Sequence, residues 1–143
     1  MNTNNIVSRQ QKIFFVFLVI AVATILLFET GIMPKGGLSI QSSVRYFVEV
    51  AGVFITIGLI PLSVKRFNSA IAAASQNDDE SFVKIYRREC EIRLMLLFVV
   101  IMSNIGIYYA TDNNSALYCA LAGALAYLFS FPKNKSREEV NEI

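Results

Sequence analysis

The polar side chains that interrupt the apolar runs are where any chemistry would reside. Arg45 and Glu49 stand four residues apart near the start of a long apolar segment. On a helix they share a face one turn apart, with Glu49 about 5–10 Å below the outer edge of a membrane that the segment would cross. An ionisable group at such depth is costly, which makes it a candidate for a substrate, ion or proton role. The plainer reading is a shallow ion pair that snorkels to the interface. A contact across to Ser103 or Asn104 is a third. Those two residues interrupt another apolar run. An amide in lipid seeks a partner on a neighbouring helix, so they are expected to glue helices together or, with Glu49 and Thr56, to line a path. Arg45, Glu49, Ser103 and Asn104 form the candidate intramembrane polar site.

A second group is basic. Lys84, Arg87, Arg88 and Arg93, with Lys65 and Arg66, flank apolar runs on one side. They are candidate contacts for anionic lipid headgroups or for an acidic partner.

Other chemistry is excluded by what is missing. The chain has no His, which removes the commonest general base and transition-metal ligand together. It contains no P-loop, GxGxxG, HExxH, CxxC or GxSxG pattern. Asp78, Asp79 and Glu80 are adjacent, which suits the first turn of a helix better than convergence on one ion. Neither metal nor cofactor is expected. Cys90 and Cys119 fall near opposite membrane faces, roughly 20 Å or more apart by helix rise, and so are expected as free thiols. A net charge of +2 gives no reason to expect nucleic acid.

The elements that must position these groups follow from composition. Of 143 residues, 55% are hydrophobic and 17% charged, against about 45–50% and 25% in soluble domains. The apolar residues fall into four blocks, which predicts spans over about 13–31, 44–64, 93–110 and 115–131. A polar tail, 1–12, precedes them. Ala21-Val22-Ala23 resembles a signal-peptide cleavage site, but the apolar run continues through Phe28, so the segment is expected to be retained. Pro34-Lys35-Gly36-Gly37 breaks the chain before a helix capped at Ser42 or Ser43. Pro61 should bend that helix. Residues 65–92 predict a helical hairpin with its elbow at 76–80, carrying an apolar stripe through Phe67, Ile71, Phe82 and Tyr86. Glu80–Lys84, Arg87–Glu91 and Glu89–Arg93 have the spacing of helical ion pairs. The fourth block is rich in small residues, with Ala116, Ala120 and Ala124 on one face and Ser115, Cys119 and Gly123 on another. Such faces permit close helix contact, within the bundle or between copies. Pro132 ends that block and a charged tail, 132–143, follows.

With four spans, eleven of the 13 Lys and Arg residues share one side, and only Lys35 and Arg45 lie on the other. The positive-inside rule then puts both termini and the hairpin tip in the cytoplasm. Tyr46, Tyr108, Tyr109 and Tyr118 would form an outer aromatic belt. The sequence therefore predicts an all-α, four-helix transmembrane bundle, up-down-up-down and N-in/C-in, multi-pass in a membrane such as the bacterial inner membrane. The expected function is non-catalytic: an accessory or scaffold subunit contacting lipids and a partner protein or its own copies. A small oligomeric transporter or channel is the alternative, and a lipid-modifying enzyme the third.

Overall fold

In the computed structural model, which describes residues 3–34 and 42–132, the chain is all-helical. Four helices follow in order: α1 (Thr3–Glu29), α2 (Ser42–Ala74), α3 (Asp79–Thr111) and α4 (Asn114–Phe129). α3 is the axis, packing against each of the other three, and α4 also rests on α2. Contacts between helices set their directions. Gln10 bonds to the Arg87 carbonyl and Tyr109 to Glu29, so α1 and α3 run the same way. Asn104 meets Thr56 and Arg66 meets Glu89, so α2 opposes α3.

The α3 core stripe is Leu94, Leu97, Ile101, Ile105 and Tyr109, three or four residues apart as one helix face requires. Phe14, Ala120 and Tyr127 close over it from α1 and α4. A smaller cluster, Ile71, Ala74 and Phe82, joins α2 to α3 near the elbow.

Three helical segments are long and apolar enough to cross a membrane: Val7–Glu29, Ser43–Ala74 and Glu80–Thr111. α4 has 16 residues, about 24 Å of helix against a hydrocarbon core of about 30 Å. The expected fourth span over 115–131 is thus a shorter apolar helix than the other three. Large apolar side chains also face outward, among them Phe15, Val19 and Leu26 on α1, Phe54 and Ile57 on α2, and Leu121, Leu125 and Phe129 on α4. Soluble monomers do not expose apolar surface on that scale, whereas lipid accommodates it.

Within the segment 1–12, expected as a polar tail, helix begins at Thr3. Val7, Gln10 and Phe14 lie on one face and are buried. Gln10, fully buried, donates through Nε2 to the Arg87 carbonyl at 3.1 Å, so a residue that reads as tail is a docking contact. The connection around Lys35 and the charged tail from 133 onward lie outside the described residues. α2 continues without a break through Pro61, and Ser63 Oγ donates to the Ile60 carbonyl at 2.7 Å. On α4 the buried residues are Ala116, Ala120, Gly123 and Tyr127. Gly123 sits against Val100 and Ile101 of α3, so this small-residue face is occupied within the chain.

α3 and α4 meet at a turn of two residues. Asp112 adopts the left-handed conformation, with φ 53° and ψ 37°, and its N–H bonds to the Tyr108 carbonyl at 2.7 Å. Asn113 then caps α4, its Oδ1 accepting from Ser115 N–H at 2.9 Å. A β-branched residue cannot take that φ without strain. Asp112→Val should cost about 1–2 kcal/mol and Asp112→Gly should be neutral or slightly stabilising, read from thermal melts in detergent.

Candidate functional site

Arg45 and Glu49 pair within the first turns of α2, Nε to Oε1 at 3.0 Å. Asn113 of the α3–α4 turn lies within hydrogen-bonding reach of Glu49. The acid therefore sits level with a helix-connecting turn.

Asn104 lies elsewhere. It is fully buried, and its Nδ2 donates to Thr56 Oγ1 at 2.8 Å and to the Val100 carbonyl at 2.9 Å. Thr56 Oγ1 in turn donates to the Gly52 carbonyl at 2.8 Å. The amide oxygen has no hydrogen-bond partner and abuts Gly52, where an added Cβ would lie 3.0 Å away. Only a glycine leaves room for it. Half-buried Ser103 makes no side-chain hydrogen bond among the described residues. The four candidate residues therefore separate into an Arg45–Glu49 pair at one end and an Asn104–Thr56–Gly52 contact deeper in the α2–α3 seam. Glu49 meets neither Ser103 nor Asn104, and the polar side chain near it across the helices is Asn113.

The basic group also divides. Lys84 bonds Glu80 at 2.9 Å on the open surface, and Arg87 bonds Glu91 at 3.3 Å. Arg88 is well exposed, its Nε 3.9 Å from Glu89 Oε1. The expected Glu89–Arg93 pair does not form. Glu89 turns toward α2 instead, where Arg66 Nε reaches its Oε2 at 3.3 Å. An acid buried to 6% exposure gains more from a cation on the facing helix, because that contact also ties the two arms together. Arg93 is left stacked on the Phe67 ring, 4.9 Å from its centroid, with Nε buried and unpartnered. Beside it, Cys90 is buried and hydrogen-bonds Tyr86.

The interhelical contacts that sequence reasoning missed include Gln10 to Arg87, Tyr109 to Glu29, Arg66 to Glu89 and Tyr127 to Phe14. Gln10 had a usable signal, since Val7, Gln10 and Phe14 share helical spacing. Among the described residues, no group of three His, Cys, Asp or Glu side chains could hold a metal ion. The chain matches no protein-family model, no curated protein and no solved structure.

Proposed function

We propose that the chain is a multi-pass integral membrane protein that acts without catalysis, as an accessory or scaffold subunit whose charged hairpin holds a partner. The hairpin is the part of α2 and α3 around the elbow, and the proposed orientation puts it in the cytoplasm with both termini. α2 and α3 have 33 residues each, about 50 Å of helix, which leaves roughly 20 Å beyond a hydrocarbon core. A bacterial inner membrane suits this arrangement.

The observation that carries the reading is a projection packed on the inside and charged on the outside. Ile71, Ala74 and Phe82 are buried between its arms. Lys84 and Arg88 keep 73% and 74% of their side chains exposed. A rigid stalk presenting fixed charges suits binding, and the elements of catalysis are missing from the sequence. The hairpin takes precedence over α4 as the contact surface, because the Ala116–Ala120–Gly123 face of α4 is already covered by α3.

The test combines Lys84→Glu with Arg88→Glu in the full chain. Crosslinking in intact membranes, from a cysteine introduced by Asp79→Cys, should capture a specific partner, and the double charge reversal should lower its recovery at least tenfold. An unmodified chain that remains a lone monomer under gentle crosslinking in nanodiscs defeats the reading. Labelling of Asp79→Cys by an impermeant thiol reagent added to whole cells would defeat the orientation.

A further inference from the structure

Most basic side chains around the hairpin base are matched by acids or, like Lys65, lie exposed to solvent, whereas Arg93 is half-buried without an acid. Arg87 has Glu91, Lys84 has Glu80, and Arg66 and Arg88 share Glu89. Among the described residues, Arg93 pairs with no carboxylate. A guanidinium stays protonated at any ordinary pH, so Arg93 cannot relieve its position by losing charge. Its Nε is buried with no hydrogen-bond partner. A half-buried cation without a counter-ion is costly, and a partner removes that cost.

Beside Arg93 there is space for one. A cavity of about 170 Å³ opens between α2, α3 and the end of α4, lined by Arg93, Phe67, Tyr86, Cys90, Ser130 and Pro132. At about 30 Å³ per water, that is room for roughly five waters or one compact oxyanion. The chain's own chemistry at the wall is already committed elsewhere. Ser130 Oγ donates to the Ala126 carbonyl at 2.7 Å, and Tyr86 hydrogen-bonds Cys90. The lining acids that could neutralise a cation are missing, while the Phe67 ring holds the guanidinium in place from one side. A planar guanidinium fixed on an aromatic face presents its remaining N–H groups to phosphate oxygens in pairs.

We infer that this cavity binds a phosphate-class oxyanion through Arg93, and that the oxyanion is the headgroup phosphate of an anionic lipid. The lipid source rests on the membrane reading above; the oxyanion chemistry does not. Arg93 stands one residue before the α3 core stripe begins at Leu94, and α4 ends beside it at Phe129. The cavity mouth therefore lies where apolar helix gives way to charged helix, the level of lipid phosphates.

The test uses the full chain purified in a neutral detergent. Three probes are added separately: phosphatidylglycerol, phosphatidylcholine and inorganic phosphate. Native mass spectrometry counts retained lipid, and thermal melts read the stabilisation that any ligand of the folded state produces. Phosphatidylglycerol should be retained at one per chain and should raise Tm, with at least a tenfold preference over phosphatidylcholine. Arg93→Gln should abolish both effects, and Arg9→Gln, exposed on α1, should leave them intact. Ser130→Leu fills the cavity without touching the charge and should weaken retention at least tenfold, so the inference stays open to refutation if Arg93→Gln does not fold. Stabilisation by inorganic phosphate alone, dependent on Arg93, supports the oxyanion site but removes the lipid. If none of the probes binds, or binding survives both Arg93→Gln and Ser130→Leu, the inference is overturned. A chain that washes off membranes yet binds phosphate through Arg93 would fail the membrane reading and keep the site.

Discussion

Tyr127→Ala should detach α1 from α4 and lower the unfolding midpoint more than any other single truncation in the α1–α4 contact. The ring is 2% exposed and stacks on Phe14 with centroids 4.5 Å apart and planes 14° from parallel. Its hydroxyl donates to the Phe14 carbonyl at 2.9 Å. Truncation removes a whole ring from a closed site, and aromatic-to-alanine changes in cores cost about 3–5 kcal/mol. Lipid weakens the transfer part of that cost, since the exposed alternative is also apolar, so a loss of about 3 kcal/mol is expected. Tyr127→Phe keeps the stack and loses only the hydrogen bond, worth about 1 kcal/mol. Thermal unfolding in detergent separates the two. Equal losses for Ala and Phe would mean that the hydroxyl, not the packing, holds α1 in place.

The helices were legible because their signal is compositional. Apolar blocks bounded by charge and proline do not depend on knowing any partner, and three of the four blocks match long apolar helices. The hairpin stripe was legible for the same reason: Phe67, Ile71, Phe82 and Tyr86 repeat at helical spacing and meet near the elbow. Pairings between helices were not legible. Glu89 has Arg93 four residues ahead, an ideal spacing within one helix, yet it turns to Arg66, 23 positions back. Helical spacing along one segment carries the first possibility but not the second. The same limit applies to Asn104. Its need for a partner could be read from its surroundings in sequence, but Thr56 rather than Glu49 answers it, because the register of α2 on α3 places Gly52 and Thr56 there. The start of α1 was missed for a different reason. Arg9, Gln10 and Gln11 look like solvated tail until the Arg87 carbonyl supplies Gln10 with a buried acceptor.

Gly52→Val should part α2 from α3 where the two are tied by their buried amide. A Cβ at this position would meet Ile107 Cδ1 at 2.7 Å and Asn104 Oδ1 at 3.0 Å. The isoleucine methyl is a side-chain end and can swing aside. Asn104 is held by hydrogen bonds to Thr56 and Val100, so it yields only by breaking them. Overpacking costs about 1–3 kcal/mol, and an interhelical bond of this kind adds roughly 0.6–2 kcal/mol. Gly58 is the internal control. It lies on the same helix with nothing within 4 Å of an added Cβ, so Gly58→Ala should stabilise the helix, by up to about 1 kcal/mol. Combining Gly52→Val with Asn104→Ala opens room for the new side chain, and the pair should destabilise by less than the sum of the two single changes. Strict additivity in thermal melts would place the clash on Ile107 instead, and the amide would then contribute nothing to the spacing of the two long helices.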